Sequence, residues 1–291
     1  MVQNTKAILA LVLLAWVFAT MAIFPRYLES NFLLVQQTYL RIAGAFFLSF
    51  LFLLRYTHKA KLETVPLKDF FVISLRAISL YLGVLLFTEA VLHTKLANAS
   101  FIAALPLLPI FGYIFFKESL RIKTVLCILV GFIGVFLIAT GDSLDFSFGY
   151  GELMALLSLL AFDLSYVARR WHTDTLNNLE SACLMFGVGT IFLLITSFFF
   201  GEGLPTASQF TWFTVSILLL AAIFNIANLY LTNYGFKNVK VAVAGNIITL
   251  ETIFALIYGL VLFNEIPVLR EIVGSLLVLL SIYQVNKLEK N

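Results

Sequence analysis

The chain has 291 residues, of which 61% are hydrophobic and 12% charged, with a mean hydropathy of +1.00. A water-soluble protein carries about 25% charge, and an interior of this size cannot hide so much apolar surface, so composition excludes a cytoplasmic enzyme, a nucleic-acid binder and a disordered chain. The formal net charge of +3 is too small to imply a polyanionic partner.

A helix crossing the hydrocarbon needs about 20 mostly apolar residues, because roughly 30 Å is covered at 1.5 Å per residue. Ten stretches qualify, all continuously apolar, which excludes alternating barrel strands. The first, Ala7–Phe24, has no A-x-A-like cleavage site and reads as a span, not a signal peptide. The second, Phe32–Leu54, carries Gln37 and Arg41 one turn apart on one face. The third, Phe70–Thr88, holds Arg76 and Tyr81 and ends beside Glu89. The fourth, Ala97–Phe116, contains Pro106 and Pro109, each of which removes a backbone donor, so a kink is expected. The fifth, Val125–Thr140, is followed by the sixth, Gly151–Ala168, where Asp163 shares a face with Glu152, Tyr166 and Arg170.

The seventh is Ser181–Phe200, and the eighth, Phe210–Tyr230, starts a polar stripe of Asn225, Asn228 and Thr232. The ninth, Val241–Phe263, carries Glu251 near its middle and Tyr258; the tenth, Val268–Val285, begins with Arg270 and Glu271. Cys127 and Cys183 lie in apolar runs without nearby His or Cys and read as packing thiols. His58, His93 and His172 are scattered, and no P-loop, Gly-rich phosphate cradle or acidic metal motif occurs, so no cofactor, no metal and no ATP-driven pumping by this chain alone are expected.

Loop charges orient the chain. With the N-terminus cytoplasmic, fourteen Lys and Arg fall on the inner side and three (Arg26, Lys95, Arg270) on the outer. Arg41 and Arg76 lie within spans and complete the 19. Both termini are therefore expected in the cytoplasm.

The two halves resemble each other at an offset of about 146 residues: Leu13-Leu14-Ala15-Trp16 faces Leu159-Leu160-Ala161-Phe162, and Phe116-Lys117-Glu118 faces Phe263-Asn264-Glu265. Each half holds five spans, an odd number, so the second copy enters from the opposite side. The expected fold is all-α integral membrane, ten transmembrane helices as two inverted five-helix repeats, residues 1–145 and 146–291. Such halves can exchange conformations, opening a central site first to one side and then to the other. This is the main argument from the residues for transport of a small solute.

A charged side chain at mid-membrane costs roughly 2.5–3.5 kcal/mol even on lenient scales, so each needs a partner, a wet cavity or a neutral state. Arg41, Arg76, Asp163, Glu251 and, nearer a span end, Glu89 are read as a set facing one cavity; pairing such as Arg76 with Asp163 is the structural alternative. Arg41 suits a carboxylate; Glu251 suits an ammonium or sulfonium group or a coupling proton, with Glu89 a second coupling candidate. Gln37, Asn225, Asn228, Tyr81 and Tyr258 complete the expected substrate-binding set, although Asn225 and Asn228 equally suit interhelical bonding. The expected partners are a small-molecule solute and the lipid bilayer, with no nucleic acid.

The chain resembles the ten-helix EamA-type branch of the drug/metabolite transporter superfamily. In the first half the resemblance lies in Leu75-Arg76-Ala77, Lys95-Leu96-Ala97-Asn98-Ala99 with Pro106, Phe116-Lys117-Glu118-Ser119-Leu120 and Gly131-Phe132-Ile133-Gly134-Val135. In the second it lies in Leu250-Glu251-Thr252-Ile253-Phe254-Ala255, Phe263-Asn264-Glu265 and Gly274. Thr252 stands where family members often carry proline, which puts a kink there in question. The resemblance implies a secondary transporter of the cell (inner) membrane, with relatives implicated in amino-acid and metabolite export. Arg76, Asp163 and Glu251 with the Phe-Asn-Glu ending are also similar to S-adenosylmethionine transporters. Two rivals are a membrane enzyme acting on lipid, with Glu118, Lys117 and Arg121 as its nearest candidates, and a receptor or subunit that moves no solute.

Overall fold

The computed structural model describes residues 5–21, 23–56, 65–93, 99, 102, 103, 105, 107–118, 121–140, 149–171, 175–263, 266 and 268–290. Among them every regular element is a helix: α1 Thr5–Met21, α2 Phe24–Leu28, α3 Leu34–Tyr56, α4 Leu67–His93, α5 Leu107–Phe116, α6 Ile122–Thr140, α7 Tyr150–Ala168, α8 Asn178–Phe199, α9 Trp212–Asn238, α10 Val241–Ile248, α11 Leu250–Phe263 and α12 Leu269–Lys290. Seven segments are long and apolar enough to cross a membrane, and three shorter apolar helices, Thr5–Met21, Leu107–Phe116 and Ile122–Leu137, fall on the remaining expected stretches.

Two expected spans are interrupted. The ninth divides at Thr249 into α10 and α11 without any proline. Hydroxyls there compete for backbone carbonyls: Thr249 Oγ1 donates to Asn246 O at 2.7 Å and Thr252 Oγ1 to Thr249 O at 2.8 Å. In the fourth, Ala99, Ile102 and Ala103 are helical and Leu107–Phe116 forms an element, with a bend at Leu105 between them in which Leu105 N donates to Ile102 O and Leu107 N to Leu105 O. Pro106, the expected cause, lies outside the described residues, as do Lys95–Asn98, Ser119, Leu120, Asn264, Glu265, His58 and His172. The first span stops at Met21, and the separate turn α2 starts with Pro25 in its first turn, where a missing N–H costs nothing.

Helix ends are closed from within the chain. Asn177 Oδ1 accepts from Leu179 N and Glu180 N at the start of α8 while Asn177 N donates to Glu180 Oε2, a reciprocal capping box. The start of α3 is closed from far away: Glu202 Oε2 accepts from Val35 N and Gln36 N, both at 2.9 Å, out of a loop shaped by Gly201 and Gly203 at φ 74° and 62°.

The packing has a two-fold logic. The most extensive contacts join α4 to α7, α6 to α12, α3 to α8 and α1 to α9, while α5 meets α10. Numbered within each half, these pair helix 3 with 1, 5 with 5, 2 with 2, 1 with 3 and 4 with 4. Exchanging the halves leaves every pairing unchanged, as two related repeats require. The helices turn large apolar side chains outward, Phe199 and Trp212 being 86% and 91% exposed. That surface suits lipid and would be untenable in water.

Candidate functional site

One cavity of about 880 Å³ runs into the bundle, near the upper end of the roughly 300–1,000 Å³ usual for small-molecule sites. Helices from both halves line it, including the two interrupted ones, through Ala103, Leu105, Leu108 and Pro109 on one side and Asn246, Thr249, Glu251 and Thr252 on the other. Broken helices place otherwise costly irregular backbone beside a cavity, where its freed polar groups can be used.

The cavity's two ends differ. One reaches exposed Glu29, Ser30 and Leu33 in the turn before α3. That face also holds the Gln209 Nε2 to Asn31 O bond of 2.6 Å. Toward the face where Arg121 meets Leu288 near the chain's end, Tyr166 lines the wall, and its ring stacks on Phe236 at 4.8 Å and 16°. Arg170 stitches this end further. It pairs with Glu118, donates to Val239 O at 2.8 Å and lies over the Phe116 ring at 5.0 Å. Lys117 makes the pair reachable by adopting φ 51°, a left-handed cap usually left to glycine, with its N–H donating to Tyr113 O. Gly112 leaves the room: a Cβ there would stand 2.9 Å from Glu118 Oε2.

Of the residues expected to bind solute, Gln37, Arg41, Tyr81, Asp163, Asn225, Asn228 and Glu251 lie on the cavity wall. Arg41 is buried, and its guanidinium donates to Gln37 O at 3.2 Å and Thr38 Oγ1 at 3.4 Å. It has no carboxylate within ion-pair distance among the described residues. Asp163 is 2% exposed, and among the described residues its Oδ2 has no partner; the same holds for Gln37 Oε1 and the Tyr81 hydroxyl. Buried polar atoms are nearly always satisfied, so a cluster of unsatisfied ones around a cavity marks where water or ligand completes the bonding. Tyr81 is seated against Gly189, where a Cβ would come within 2.0 Å of its ring. Asn225 and Asn228 donate to Ala221 O and to Met21 Sδ while remaining on the wall.

Three expected residues lie elsewhere. Arg76 is fully buried below the cavity, where Nε donates to Ser165 O at 2.9 Å, Nη2 to Asn233 Oδ1 at 2.9 Å, and Ser165 Oγ returns a bond to Arg76 O. It fastens α4 to α7 and α9 and makes no ion pair with Asp163. Tyr258 is joined to Thr20 Oγ1 at 2.6 Å. Glu89 sits 3.6 Å from His93 Nδ1 at a helix end beside Tyr150. Glu118, the enzyme alternative's candidate, is occupied by Arg170.

The wall also includes polar groups the sequence reading passed over: Glu29, Asn246, Thr249 and Thr252. Asn246 is buried, its Oδ1 accepts from Ser281 Oγ at 3.0 Å, and its Nδ2 has no partner among the described residues. A carboxamide five residues before Glu251 in an apolar run was the available signal.

A polytopic helical bundle whose related halves enclose one deep, ionisable, half-open cavity is built like a solute carrier. The chain belongs to the EamA-like transporter family, whose model matches it twice, over residues 5–140 and 149–287. It is a multi-pass membrane transporter. Across 94% of its length it is 26% identical to an uncharacterized transporter of Archaeoglobus fulgidus, covering 93% of that protein. A crystal structure of a protein sharing 16% identity covers 99% of this chain and 100% of its own with a TM-score of 0.77, and so shares its fold.

Proposed function

We propose that the protein moves a small polar or zwitterionic metabolite, amino-acid-like or S-adenosylmethionine-like, by alternating access through the central cavity. It would do so in the cell (inner) membrane with both termini cytoplasmic, and without chemical conversion of the solute. The observation that carries this reading is the presence of Arg41 and Glu251 on one cavity wall, neither held by an ion pair among the described residues. A guanidinium can hold a carboxylate by two parallel bonds, and Glu251 offers the complementary site for a cationic group. The difference between the ends supports the alternating part of the reading. The cavity reaches exposed Glu29 and Ser30, while Arg170 and Glu118 are joined by an ion pair toward the other face, an arrangement that fits an outward-open state. Driving energy would come from exchange or an ion gradient.

The test is flux of labelled amino acids and S-adenosylmethionine into proteoliposomes, wild type against Glu251→Gln. Loss of coupled flux by at least about tenfold is expected, the consequence of removing one charge of a buried recognition pair. Unchanged flux removes Glu251 from the mechanism and leaves the fold intact.

A further inference from the structure

The cavity's charges do not balance, and the imbalance speaks to the solute. Among the described residues on the wall, Arg41 is the one fixed cation, whereas Asp163 and Glu251 both present carboxylates, and Glu29 adds another at the exposed mouth. Arg41 and Asp163 are 5% and 2% exposed, and neither Asp163 nor Glu251 has a hydrogen bond or ion pair among the described residues. A neutral zwitterion answers Arg41 and a single acid; the second acid then either takes up a proton and loses its charge or stays buried and uncompensated, a costly state. A solute with one carboxylate and two cationic centres answers all three.

The wall around Asp163 favours the same class. Phe162, next to Asp163 in sequence, and Tyr166, one turn on, both line the cavity; Tyr166 is stacked between Phe162 at 12° and Phe236 at 16°, so within this stack Phe162 is the lining ring with a face not taken by another ring of the stack. Aromatic faces attract cations, more strongly where water is excluded. The unpartnered Gln37 Oε1 adds an acceptor for an N–H donor.

Building on the transport reading above, we propose that the solute carries a net positive charge: a carboxylate that engages Arg41, and two cationic centres shared between Asp163 and Glu251. The volume of about 880 Å³ leaves room for a solute larger than a simple amino acid.

The test uses pairs of solutes that differ in charge and little else: arginine against citrulline, and S-adenosylmethionine against S-adenosylhomocysteine. The full-length protein in detergent is titrated with each by calorimetry and thermal shift. The cationic member of at least one pair is expected to bind about tenfold or more tightly than its neutral partner, and Asp163→Asn is expected to lower that ratio about tenfold. Equal binding within both pairs, preference for the neutral members, or a ratio unmoved by both Asp163→Asn and Glu251→Gln overturns the charge assignment. In those cases the transport reading stands, because a neutral solute still occupies the cavity. If no member of either pair binds, the charge assignment falls, and flux of labelled neutral amino acids in proteoliposomes decides whether the transport reading falls with it. The wild-type ratio requires no variant, so misfolding of a substituted protein does not shield the proposal.

Discussion

A glycine is as decisive at the site as the charges around it. Tyr81 reaches the cavity because Gly189 in α8 has no side chain, and a Cβ there would overlap the phenol ring. Overpacking a filled interior costs about 1–3 kcal/mol, so Gly189→Ala is expected to lower the melting temperature of the purified protein by several degrees and to weaken solute binding, both read in one thermal-shift titration. At this scale the sequence was informative about Arg41, Asp163 and Glu251, because an ionisable group within an apolar span must be compensated somewhere. The same argument could not separate Arg41, which faces the cavity, from Arg76, whose hydrogen bonds run to residues 89 and 157 positions away. Both look alike as an arginine among leucines; the partner decides, and the partner is on another helix.

Between elements, one ion pair ties together the half-helices that border the cavity on its terminal side. Arg170 holds Glu118, just after α5, and Val239, just before α10, so the half-helices bordering the cavity on that side are tied together. A partly buried ion pair that loses one member leaves the other uncompensated. Arg170→Ala is therefore expected to loosen this end and to raise the rate at which a cysteine placed at Asn246 is labelled from the terminal face; an unaltered rate would mean that the stack of Tyr166 on Phe236 closes the end unaided. The opposite face is held differently, by Glu202 capping the helix that bears Gln37 and Arg41. Loss of such a cap costs about 1 kcal/mol, more when the acceptor is charged. Glu202→Ala should lower thermal stability by a few degrees, and a variant indistinguishable from wild type in unfolding would show that the loop itself suffices. Sequence periodicity located these helices well and their interruptions poorly. Pro106, expected to kink the fourth span, lies outside the described residues and α5 runs on through Pro109; the division at Thr249 goes with hydroxyl-to-carbonyl bonds that Ser49 and Ser158 also make within unbroken helices, so the residue types gave no signal for it.

For the whole molecule, an even number of crossings is expected to bring the termini to one face, and the distribution of Lys and Arg makes the cytoplasm the side to test for. A cysteine at Asn286 is expected to react with a membrane-impermeant reagent only after the membrane is opened, and one at Asn31 in intact cells; the reverse pattern would invert the protein and, with it, the direction in which the cavity opens. Residence in the membrane, ten apolar crossings and the doubling of a five-helix unit were determined by the sequence alone. Hydropathy is a local sum over about 20 residues, and repeat similarity compares the chain with itself. Which polar groups share one cavity and which are consumed in fastening helices were decided only by tertiary structure. Each depends on contacts between residues far apart in the chain, and an apolar span offers several faces on which the same buried charge can be satisfied.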